Sequence, residues 1–122
     1  MATAFIDGLI FVGDGRILEH ASVLVDGDRI VKLTEGDIPI PKETLKVPLA
    51  GRTLLPGFID CHVHFCLDSS ADPITSSMGE PPAINTLKAA QVARETLKAG
   101  VTSVQDLGGK DGVDFSIRDA IR

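Results

Sequence analysis

His62 and His64, one residue apart, are the side chains of this 122-residue chain best suited to chemistry. They lie in the run Phe58-Ile59-Asp60-Cys61-His62-Val63-His64-Phe65, in which nearly every position between the polar ones is apolar. A strand is predicted there. Residues two apart on a strand share a face, so the two imidazoles would project together from Cα atoms roughly 6.5 Å apart. Neutral imidazole suits zinc and other divalent transition metals, and a strand holds such a pair more rigidly than a loop does. Asp60, two positions earlier, has the same parity. It is a candidate further ligand, or a carboxylate that accepts a hydrogen bond from a histidine and so sets its tautomer and orientation. A His-x-His pair alone also occurs as satisfied or solvated histidines. The surrounding residues favour the metal, because three polar groups on one face of a buried strand need a common partner. Cys61 alternates away from that face and reads as a small buried residue. Cys66 has the parity of a ligand but falls where the strand should be ending.

The elements that would position this strand differ on its two sides. The run itself reads as a strand covered on both faces, as in parallel sheets. Before it, about fifty-five residues read as a small β unit, a β-sandwich segment over 1–55. Ala4–Asp7 and Leu9–Val12 flank one glycine, and Asp14-Gly15 marks a turn. Ala21–Val25 and Arg29–Leu33 flank Asp26-Gly27-Asp28, a strong hairpin signal. His20, beside Glu19, is placed on a solvated turn. Thr34–Pro41, with two prolines, reads as a loop, and Leu45–Leu49 as a further strand. After the histidines, Asp68–Pro82 is rich in Ser, Asp, Pro and Gly and reads as a long exposed loop. Ala83–Ala99 is predicted helical. Pro81-Pro82 stand where a helix start tolerates proline, Gly100 stands just past the end, and Ala89, Val92, Ala93 and Leu97 form the apolar side. Val101–Leu107 reads as a strand ending at Gly108-Gly109, and Val113–Arg122 as the opening of another helix. Strand, loop, helix, strand is a βαβ unit, so residues 56–122 have the pattern of an α/β fold. Gly108-Gly109-Lys110 lacks the spacing and the following Ser/Thr of a phosphate-binding loop.

Composition narrows the class of function. Hydrophobic residues at 43% and charged residues at 24% are those of a globular protein. A net charge of −5 and a pI near 5.0 provide no basic field for nucleic acid or an anionic membrane, and a small-molecule substrate suits the chain better. Aromatic residues at 4%, with no Trp or Tyr, leave few stacking platforms for sugars or single strands. The N-terminus has neither a basic n-region nor an uninterrupted apolar run, so the cytoplasm is the expected compartment and the two cysteines are expected to be reduced.

Residues Gly51 to His64 resemble the first barrel strand of the amidohydrolase superfamily, in the branch of imidazolonepropionase-like and Xaa-Pro dipeptidase-like enzymes. The resemblance extends to the preceding Val25–Val31 hairpin and to Ala99–Gly109, which is similar to the second strand of that branch. It implies an α/β fold in which a small β-sandwich segment is followed by the first β/α units of an incomplete TIM (β/α)8 barrel. It also implies a metal-dependent hydrolase of amide or peptide-like C–N bonds, with His62 and His64 binding one of one or two divalent ions, zinc foremost. In such enzymes a metal-activated hydroxide attacks a carbonyl carbon of a small-molecule or dipeptide-like substrate. The remaining ligands come from later strands, and the full enzyme is expected to be a homo-oligomer. Gln105 stands where this branch often has an arginine, so Asp106 is left open between a group facing the substrate or orienting a ligand and a polar residue that only ends a strand.

A barrel needs roughly 250 residues, and a catalytic zinc about three protein ligands. The expectation is that the natural chain continues past Arg122, and that these residues alone are hydrolytically silent and prone to associate through an uncovered strand edge. Two other readings compete: a non-catalytic remnant or assembly module that docks onto another chain, and a standalone metal-binding protein using His62, His64 and Asp60.

Overall fold

Thr3–Phe11, rich in β-branched and aromatic residues, forms one continuous strand, β1, where the sequence indicated two short ones. The break anticipated at Gly8 is absorbed by two bulges against β2 (Ile17–Asp26). Ile6 and Asp7 oppose the single residue Ser22, and Glu19 and His20 oppose Leu9. Each bulge holds a residue in the left-handed region, Asp7 at φ 52° and His20 at φ 49°, and this local kink lets pairing resume beyond it. His20 is therefore inside a strand and not on a turn. β2 turns through Gly27-Asp28 into the antiparallel β3 (Arg29–Glu35). On its other edge β1 pairs in parallel with β4 (Leu45–Pro48) and, farther along, β5 (Thr53–Leu54).

The computed structural model describes residues 1–122, which divide into two units, Met1–Pro56 and Gly57–Arg122. The first is one five-stranded mixed sheet in the order β3-β2-β1-β4, with β5 also on β1, in place of a two-sheet sandwich. The physical reason lies in β1, which uses both of its edges and so draws every strand into one sheet. One face packs Ala4 and Leu24 beneath Ile38, from the irregular segment after β3. The other face gathers Ile10, Ala21 and Val23 with Phe5, Leu18, Leu33 and Leu54.

The second unit is a parallel pair, β6 (Phe58–Val63) and β7 (Val101–Asp106), with helices α1 (Pro73–Gly79), α2 (Pro82–Lys98) and α3 (Val113–Ile121). The long loop expected after the histidines thus contains a helix, α1, whose start is capped by the Asp72 carboxylate on the Thr75 amide at 3.2 Å. The inner side of α2 runs through Asn85, Ala89, Val92 and Ala93, while Leu97 is 60% exposed. Ala89, Val92 and Ala93 thus lie on the inner side as the sequence indicated, and Asn85, which donates to Ser77 of α1 at 2.7 Å, takes a place there that Leu97 does not. Phe65, Ala89, Val113 and Ile117 form the core of the unit. Each large side chain among them contributes about 1.5–3 kcal/mol by leaving water.

β6 is not covered on both faces within these residues: Phe58 is 57% and Ile59 71% exposed. The strand has one strand neighbour, and the helices shield only part of it. Gly57, just before β6, lies so close to Thr102 that a Cβ there would meet the Thr102 Cβ at 2.7 Å. No helix of the chain is long and apolar enough to cross a membrane.

Candidate metal centre

β6 carries the candidate ligands to its C-terminal end. Its pairing with β7 shifts between Asp60↔Val104 and Val63↔Asp106, so Cys61 and His62 together oppose Gln105. This bulge re-aims the side chains, and the strand ends at Val63, one residue before His64. His62 is exposed and His64 half-buried. Their rings nevertheless come together, with centroids 5.4 Å apart and planes at 72°.

Two imidazole nitrogens bound to one zinc at ~2.0–2.1 Å in tetrahedral geometry leave ring centroids about 5–5.5 Å apart, so the observed separation fits a shared ion. The hydrogen bonding agrees. His64 Nδ1 lies 2.8 Å from the Gly108 carbonyl oxygen. A carbonyl only accepts, so Nδ1 carries the proton and the lone pair of the neutral ring sits on Nε2, free for a cation.

The other residues singled out in the sequence are arranged differently. Asp60 is exposed and turns its carboxylate onto the backbone, Oδ1 accepting from the His62 amide at 3.0 Å. It orients the His62 backbone and bonds neither ring, and no three His, Cys, Asp or Glu side chains are grouped closely enough to hold one ion. The bulge also disturbs the simple alternation that would have put Asp60 on one face with both imidazoles. Cys61 is exposed, not buried, for want of a covering element on that side of β6. Cys66 is half-buried, packed against the Phe65 core, with Sγ 3.9 Å from the Gly108 oxygen. Asp106 ends β7, and its carboxylate accepts from the amides of Phe65 at 3.2 Å and Gly108 at 3.0 Å. His20 lies in the first unit, paired with Asp7 at 2.9 Å, and this bond raises its pKa above the ordinary imidazole value.

Three sets of contacts around the histidines were not anticipated from the sequence. The Gly108 carbonyl bonds His64, and its only sequence signal was a Gly-Gly pair at a strand end. Lys110, which follows that pair, donates to the carbonyls of Met78 at 2.7 Å and Glu80 at 3.4 Å. The segment after β7 is thereby stapled to the C-terminal end of α1. Asp68, which opens the segment after β6, accepts from the Ser70 amide at 3.1 Å and the Ser76 hydroxyl at 2.9 Å. Bonds from Ser70 foremost, then Ser76, hold its carboxyl below the usual range. A cleft of about 830 Å³ lies elsewhere in this unit, among α2, β7 and α3, with Val101, Val104, Phe115 and Ile117 in its walls. Neither His62 nor His64 lines it.

Comparison with known proteins adds an independent line. The family model described as the amidohydrolase family matches residues 53–122. The ochratoxinase of Aspergillus niger is 33% identical over 106 residues, which cover 84% of this chain and 22% of that protein. A solved Xaa-Pro dipeptidase with methionine bound in its active site is 29% identical, with a TM-score of 0.82 over 99% of this chain and 30% of its own. A solved prolidase complexed with N-methylphosphonate-L-proline is 30% identical, with a TM-score of 0.80 over 99% of this chain and 28% of its own. The chain spans between a fifth and a third of the length of these relatives.

Proposed function

The chain belongs to the amidohydrolase family, and from that membership we propose that it forms the N-terminal part of a metal-dependent hydrolase acting on amide or peptide-like C–N bonds. In this reading β6 and β7 are the first two strands of a (β/α)8 barrel, and His62 and His64 hold a divalent ion, zinc foremost, at the C-terminal end of β6. That is the end at which barrel enzymes assemble their sites. The single observation that carries the reading is the 5.4 Å approach of the two rings, with His64 Nδ1 already engaged by the Gly108 carbonyl.

A bound divalent ion in such a site supplies a Lewis acid that polarises a carbonyl and lowers the pKa of water. This chain's own contribution is to gather and orient. Asp60 secures the His62 backbone, the Gly108 carbonyl selects the His64 tautomer, and further ligands belong to residues beyond these two strands. Small-molecule or dipeptide-like substrates are favoured because the similar proteins include an Xaa-Pro dipeptidase and a prolidase holding a proline phosphonate.

The test is zinc titration of the metal-free full chain, followed by calorimetry. His62→Ala and His64→Ala are each expected to weaken binding by at least roughly tenfold, the loss typical of disturbing a metal site. Equal uptake by the wild type and the His62→Ala/His64→Ala double variant would sink the proposal. A second reading, a non-catalytic module that docks onto another chain, draws support from the exposed Phe58 and Ile59 of β6. Equal and negligible uptake by both chains, with a stable hetero-complex, is its expected signature.

A further inference from the structure

We propose that Asp106 is a positioning residue for His64, acting through the Gly108 carbonyl to set which ring nitrogen keeps its lone pair. The purpose of this arrangement rests on the metal reading above, whereas its geometry stands without it.

β6 ends at Val63, so no strand ladder orients His64. What holds it is a hook made by the end of β7. The Leu107 amide donates to the Val63 carbonyl at 3.0 Å. The Asp106 Oδ2 atom accepts from the Phe65 amide at 3.2 Å, one residue past the histidine. Its Oδ1 atom accepts from the Gly108 amide at 3.0 Å. Gly108 then returns its own carbonyl to His64 Nδ1 at 2.8 Å. The carboxylate therefore grips both ends of a short circuit that contains His64 and the group bonded to it.

Backbone conformation makes the carboxylate necessary. Gly108 sits at φ 112°, where glycine is at ease but has many other conformations open to it. No side chain other than Asp106 bonds its amide. Without the carboxylate the Gly108 carbonyl loses its aim, and the part-buried Phe65 amide loses its acceptor. His64 is then free to place its proton on Nε2, the nitrogen a cation would need. The Asp106 carboxylate hydrogen-bonds backbone amides and neither ring; it works by fixing the acceptor for Nδ1–H.

The experiment uses the full chain, metal-free and 15N-labelled, at a pH where imidazole is neutral. Long-range 1H–15N correlation reads the tautomer of each of the three histidines. Wild type is expected to show His64 as Nδ1–H alone. Asp106→Ala should show mixed tautomers at His64, leave His20 unchanged, and weaken zinc binding roughly 10–100-fold. Asp106→Asn, whose amide oxygen can accept from one of the two backbone groups, should fall between, and it serves as the comparison should Asp106→Ala unfold. His64 as Nε2–H in wild type, or a tautomer unchanged in a well-dispersed Asp106→Asn spectrum, overturns the proposal. A chain that takes up no zinc yet shows the tautomer shift supports the hook and overturns the metal reading instead.

Discussion

Replacing Gly57 by alanine tests the packing that sets β6 against β7. A Cβ at this position would lie 2.1 Å from Thr102 Oγ1, 2.3 Å from its Cγ2 and 2.7 Å from its Cβ. Favourable contacts between heavy atoms begin near 3.5–4.0 Å, so all three distances are repulsive. Rotating Thr102 about χ1 can swing a γ atom away, but its Cβ is fixed by the backbone of β7. The strands must therefore part, and overpacking of this kind costs about 1–3 kcal/mol, here toward the upper end. For a chain of this length each kcal/mol moves the melting temperature by about 3–5 °C, so Gly57→Ala should lower it by about 6–15 °C. Differential scanning calorimetry of the full chain measures this directly. Adding Thr102→Ala removes both γ atoms and leaves only the Cβ conflict, so the double variant should recover about 1 kcal/mol relative to additivity. A Gly57→Ala chain that melts within about 2 °C of wild type would refute the close approach of β6 and β7, and with it the frame that holds His62 and His64.

Ile117 is 4% exposed in the core beside Phe65 and Ala89. Truncating it to alanine should cost about 2–4 kcal/mol by urea titration, and an unchanged midpoint would show that α3 does not pack there. His20 provides a pH test in the first unit. Its folded-state pKa is raised from 6.5 by Asp7, so its contribution is fully present below 6.5 and is lost as the pH rises through the folded value. NMR titration should show a His20 midpoint above 6.5 that returns toward it in Asp7→Asn; equal midpoints in the two chains would rule out the ion pair. Because both groups are largely exposed, the accompanying change in stability should be small and should shrink further in salt.

Much of the local structure was legible because it depends on neighbours in sequence. The Asp-Gly hairpin, the helix between Pro82 and Gly100, and the strand after Gly100 all follow from short-range backbone preferences and period. The short helix Pro73–Gly79 was not legible. Its composition is that of a loop, and it depends on the Asp72 cap, the Asn85–Ser77 bond and Lys110 closing its far end, contacts spread over tens of residues. The bulges in β1, β2 and β6 were also hidden, because alternation along one strand says nothing of how many residues its partner sets opposite it.

By itself the sequence determined the two histidines and their nearness, since residues two apart at a strand end cannot lie far from each other. Their identity as imidazoles likewise set which ions they suit. Only the tertiary structure decided what surrounds them. It turned Asp60 onto the His62 amide, left Cys61 in the open, and brought Asp106 and Gly108 from some forty residues away to hold the His64 ring. Ring tautomer and side-chain direction depend on hydrogen-bond partners across the sheet, and those partners exist only once β7 lies alongside β6.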